Sequence, residues 1–106
     1  MIKIMSEETF SKPLQKILFE LTGERRLHVA LNLAIKNLVR LKLQEGEHQV
    51  TKFENRYGMS FEQFQQAWEN DQIADKHSYA LEKDYWEWEA LMTDLARFSE
   101  MLEELS

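Results

Sequence analysis

The chain has no cysteine, one proline and three glycines, and each scarcity removes a class of answer. Without thiols there is no disulfide framework, no thiolate nucleophile and no cysteine-ligated zinc. With so few turn formers in 106 residues, a sandwich of many short strands lacks its punctuation, and a few long helices are favoured. No apolar run approaches the roughly 20 residues that span a bilayer, and "MIKIMSEETF" lacks the pattern of a cleavable signal. A soluble cytoplasmic protein with no membrane partner is the expectation. Catalytic motifs are missing too: the sequence contains no G-x-S-x-G, no glycine-rich phosphate loop and no H-E-x-x-H. His28, His48 and His77 are scattered, and "EGEH" at 45–48 reads as a solvated face rather than a ligand set. The expectation is therefore a non-enzyme with no metal and no cofactor.

Present instead are two blocks of opposite charge. Residues 1–43 carry eight Lys/Arg against four acids, net +4, and residues 44–106 carry five against fifteen, net −10. A basic half suits phosphate, and an acidic half suits a basic protein surface. The same asymmetry is equally consistent with two halves that attract each other.

Helix signals recur along the chain. Ser11 can cap a helix that tolerates Pro13 in its first turn, carries Leu14, Ile17, Leu18 and Leu21 on one stripe and stops at Gly23. A second helix is expected from Glu24, with Leu27, Ala30, Leu31, Ala34, Leu38 and Leu41 on one side and Val29, Leu33 and Ile35 widening it. A helix this broadly apolar needs burial on two fronts, and a second subunit is a natural second front. Gly46 is a candidate bend before Val50, Phe53 and Tyr57 resume the pattern up to Gly58. Ser60 and Gln63 form a capping-box pair, with Met59 and Phe64 placed for a hydrophobic staple. A last long helix carries Leu81, Tyr85, Trp88, Leu91, Met92, Leu95, Phe98, Leu102 and Leu105 within about half its circumference. The fold expected is mainly α, a four-helix elongated antiparallel arrangement over about 12–22, 24–57, 61–70 and 76–105. It forms a single domain and a homodimer. Residues 2–5 read either as a short strand or as a frayed terminus.

"DYWEWEALMTDL" at 84–95 raises the functional question. Trp86 and Trp88 point to nearly opposite sides of a helix, so one core does not easily take both. Trp88 belongs to the core stripe, whereas Trp86 needs either another helix over it or a partner. Trp68, Tyr79, Tyr85, Trp86 and Trp88 are the candidate partner-binding residues, because aromatics anchor interfaces and the surrounding acids steer a basic partner. Lys12, Arg25 and Arg26 are the candidate DNA-binding residues, two of them at a helix start suited to phosphate.

Two stretches resemble known families. "FENRYGMSFEQFQQAW" followed by "EKDYWEWEAL", within residues 53–91, looks like a motif of small prokaryotic antitoxin-like proteins from toxin–antitoxin gene pairs. "LTGERRLHVALNLAIKNLVR" at 21–40 is similar to the two-helix part of ribbon-helix-helix antitoxins that partner PIN-domain ribonucleases. In those antitoxins a base-contacting strand precedes the first helix, and "MIKIM" is the sole counterpart here. Both resemblances imply a small antitoxin-like dimer. Taken with the two charge blocks, the expectation is a protein whose acidic, aromatic half masks a basic toxin encoded by the adjacent gene and whose basic half contacts operator DNA. A DNA-binding regulator without a toxin, and a helical self-association module, are the alternatives.

Overall fold

The computed structural model describes residues 10–106. Four helices follow one another: α1 (Lys12–Thr22), α2 (Leu27–Tyr57), α3 (Phe61–Glu69) and α4 (Tyr79–Leu105). No strand occurs among the described residues, and the segment 2–5 read as a strand or frayed end lies outside them. No described helix is long and apolar enough to cross a membrane.

Local chemistry sets the boundaries. The Ser11 side chain accepts from the Leu14 N–H to start α1, and Gly23 ends it in the left-handed region at φ 71°. The second helix begins at Leu27, three residues later than expected. The Glu24 carboxylate accepts from both the backbone N–H and the guanidinium of Arg26, at 3.0 and 2.9 Å, and holds 24–26 in a turn. In α3 both halves of the capping box form: Gln63 N–H donates to Ser60 Oγ at 3.2 Å, and Ser60 N–H donates to Gln63 Oε1 at 2.9 Å. The last helix starts at Tyr79 rather than 76, because Ser78 caps it and Asp75 just before stands at φ 56°.

The long helices α2 and α4 lie side by side and antiparallel. Phe53 stacks on Trp88 with centroids 5.2 Å apart, and seven residues back on α2 Gly46 meets Leu95, seven residues on along α4. Val39, Gly46 and Phe53, spaced by seven, are all buried on this line, the periodicity of a left-handed helix pair. Gly46 therefore does not break or bend the pattern. It is buried mid-helix, and a Cβ there would overlap the Leu95 side chain. The glycine is the point of close approach between the two helices.

Packing is uneven along α2. Its C-terminal half, α3 and the start of α4 close around Phe64 and Trp88, both fully buried, with Phe53, Tyr57, Phe61, Trp68 and Tyr85 around them. Among the described residues, its N-terminal half has only α1 and the end of α4 for company. There the buried set thins to Leu18, Ala30 and Val39. Of the α1 stripe only Leu18 is buried, while Leu14, Ile17 and Leu21 are about half exposed or more. The molecule measures 59 × 30 × 23 Å with a radius of gyration of 20.0 Å, against about 13 Å for a compact domain of this length.

Candidate functional site

The "DYWEWEAL" stretch divides residue by residue between fold and surface. Asp84 faces α2. Arg56 Nη1 donates to its Oδ2 at 2.7 Å, and the Tyr57 hydroxyl donates to the same oxygen. Burial pushes the Asp84 carboxyl up, but the hydrogen bonds from Tyr57 and Arg56 outweigh it and leave the group below its usual range. Burial, followed by the bond to Asp84, raises the Tyr57 phenol to about 12. Together these groups fasten the start of α4 to the end of α2. Tyr85 is half-buried, packs 4.8 Å from the Trp68 ring and accepts a hydrogen bond from Gln65 Nε2 at 3.0 Å. Trp88 sits at the centre, in ring contact with Phe53, Tyr57, Phe61 and Phe64. Its indole N–H is buried without a hydrogen-bond partner, a cost of about 1–3 kcal/mol that ring packing offsets.

Three of the residues expected to bind a partner belong to this cluster. Trp88 has no exposed surface and cannot touch a partner. Trp68 and Tyr85 are half-buried members of the same cluster. Trp68 is further pinned by Lys76, whose ammonium donates to its carbonyl at 3.0 Å while pairing with Asp71. The capture of Trp68 and Tyr85 follows from α3 folding back onto α4, which helical spacing alone does not reveal.

The other two stand in solvent on one side of α4. Tyr79 is 80 % exposed and Trp86 64 %. Seven residues apart, they lie two turns from each other on the same face. With Glu82, Lys83 and Glu87 they line a shallow cleft of about 300 Å3. Lys83 Nζ pairs with Glu87 at 2.8 Å, and both side chains are half exposed. The hydrogen bond and charge of Glu87 raise the Lys83 pKa. His77 approaches Glu82 at 3.5 Å. The cleft thus offers two aromatic rings and two carboxylates, with one exchangeable resident cation. It has no nucleophile–base pair.

The basic candidates do not converge. Lys12 opens α1, whereas Arg25 and Arg26 follow its end, about 15 Å further along at 1.5 Å per residue. Arg26 is held by Glu24, whose carboxyl falls to about 2 mainly through the Arg26 hydrogen bond. The Arg25 guanidinium lies over the Phe19 ring, 4.7 Å from its centroid.

Sequence reasoning missed Asp84, Arg56 and Gln65 as a polar frame and Gly46 as a contact. Once Phe53 is set opposite Trp88, the antiparallel register itself places 56–57 against 84. That pairing was the available signal. Comparison with known proteins gives no matching family model, no matching curated protein and no matching solved structure.

Proposed function

We propose that this protein is a non-enzymatic, antitoxin-like binding protein whose α4 surface captures and masks a basic protein encoded by the adjacent gene. The observation that carries the reading is the exposure of Tyr79 and Trp86 on one face among carboxylates, while seven other rings of the acidic half gather in one cluster around Trp88 and Phe64. An exposed tryptophan is a costly thing to leave in water without a partner. A lysine or arginine from the partner slides between the two rings, gaining roughly 0.5–2 kcal/mol of cation–π attraction depending on desolvation. It displaces Lys83 from Glu87, an exposed pair worth at most about 1 kcal/mol. The net −10 of residues 44–106 steers the encounter. We take the working unit to be a homodimer with α2 at its centre.

Co-expression with the adjacent gene product tests this. Trp86→Ala and Tyr79→Ala each reduce co-purification of that product while leaving the melting temperature unchanged. Unchanged co-purification, or a large fall in melting temperature, removes the reading.

A second reading, contact with operator DNA, is carried by the N-terminus of α2. Serines cap α1, α3 and α4, but Arg26 stands at the α2 cap with no side-chain capping hydrogen bond. Its first N–H groups are left to an anion beside Arg25. A gel-shift assay at low salt shows a complex weakened by Arg25→Ala if this reading holds, and no complex if it does not.

A further inference from the structure

The first half of α2 keeps an apolar seam that the other described residues cover only in part. Leu38 and Leu41 are 55 % and 48 % exposed and Ile35 beside them 41 %, while Leu27, Leu31 and Ala34 are half-buried. At 100° per residue, Leu27, Leu31, Ala34, Leu38 and Leu41 form one line about 100° round the helix from the Val39–Gly46–Phe53 line that faces α4. Their spacing is 4, 3, 4, 3, the repeat that lets one helix interlock with another.

The occupant follows from the order of the residues. The seam reads Leu, Leu, Ala, Leu, Leu, and its sizes are the same in both directions. Turned end for end about Ala34, it brings Leu27 against Leu41, Leu31 against Leu38, and the small Ala34 against itself where the helices come closest. A surface that matches its own reverse is what a two-fold axis requires. Charge is consistent with this. Lys42 already pairs with Glu45 at 3.7 Å at one end of the seam, and Lys36 and Arg40 fall on the far side of the helix. Two copies meet without a row of like charges between them. At the other end, Arg25 and Arg26 lie beyond Leu27, so reversal sets them beside the second copy's Lys42–Glu45 pair. The α1 residues Leu14, Ile17 and Leu21 belong to another surface. They lie on the flank of α1 away from Phe19 and Gln15, which share a cleft with Leu27 and Ala30.

We infer that two copies of this chain pair antiparallel through residues 27–41 of α2, about a two-fold axis at Ala34. This rests on the homodimer reading above and not on partner capture through α4. Only Ile35, Leu38 and Leu41 of this face are exposed, so the pair stands at or below the lower limit for specific association, about 1,000 Å2 in total. A dissociation constant in the micromolar range is expected.

Sedimentation across a concentration series tests the dimer, and disulfide trapping tests its direction, which a chain without cysteine makes clean. The wild type passes from monomer to dimer as concentration rises. Leu38→Asp weakens the dimer at least about 100-fold without altering the circular-dichroism spectrum, since this side chain is already exposed in the monomer. An equal mixture of Leu27→Cys and Leu41→Cys chains, oxidised together, yields mostly the mixed disulfide. Disulfides joining 27 to 27 and 41 to 41 overturn the antiparallel pairing and leave the homodimer standing. A dimer that survives Leu38→Asp overturns the face. A wild type that stays monomeric throughout overturns the homodimer as well.

Discussion

The two ends of α2 solve the same burial problem differently. Residues 46–57 meet α4 and α3 and sink their apolar side chains into a cluster of seven rings. Residues 27–41 meet α1 on one side and the end of α4 on another, and Ile35, Leu38 and Leu41 stay exposed. One helix thus runs from a self-sufficient core to a face that the other described residues cover only in part. The lesson is that a helix apolar on several sides can complete its burial against its neighbours at one end and keep exposed apolar side chains at the other.

Cutting into each end gives the largest effect. Phe64→Ala opens a cavity in a fully buried site and should cost about 3–5 kcal/mol in urea denaturation. Leu18→Ala, at an open site able to collapse, should fall near the bottom of the roughly 2–5 kcal/mol range for such changes. Trp88→Phe should cost less than Phe64→Ala, because it keeps a ring in place and removes an unsatisfied N–H. Equal losses at Phe64 and Leu18 would erase the contrast between the ends.

The next effect lies at the seam joining the ends. Gly46→Val sets a branched side chain against Leu95 and Leu91 and should destabilise by about 1–3 kcal/mol, although glycine is itself a poor helix former. A neutral result would mean that α2 and α4 stand further apart.

Smaller and pH-dependent is the Asp84–Tyr57–Arg56 frame. Asp84 titrates below its ordinary value in the folded chain. Its contribution is therefore present above the unfolded aspartate pKa, near 4, and is lost as pH falls through the lower folded value. Tyr57 is raised to about 12. Its contribution is complete below the unfolded phenol pKa, near 10, and is lost as pH rises through the folded one. Melting curves should show Asp84→Asn flattening the acid limb and Tyr57→Phe the alkaline limb. The smallest stability effect should come from Trp86→Ala, within about 0.5 kcal/mol, because most of that residue stands in solvent.

Much of this was legible in the residues. Ser11, Gly23, Gly58 and the Ser60–Gln63 pair mark helix ends through chemistry within four residues of themselves, and all four signals hold. The opposite fates of Trp86 and Trp88 follow from 100° per residue. Less legible was anything that needs two distant segments. Helical spacing put Tyr85 on the core stripe but could not show that α3 folds back against α4 and sets Trp68 against it. It made Gly46 look like a weak point, but the partner helix passes there. It made the α1 stripe look like core, but only Leu18 of it is buried. The starts of α2 and α4 came three residues late because side chains of Glu24 and Ser78 hold the preceding turns.

Amide hydrogen exchange along α2, measured at two protein concentrations, tests the central contrast most directly. Amides of 46–57 should exchange only by global unfolding, at a rate indifferent to concentration, while those of 31–41 should gain protection as concentration rises. Protection that is uniform along α2 and unmoved by concentration would contradict the account.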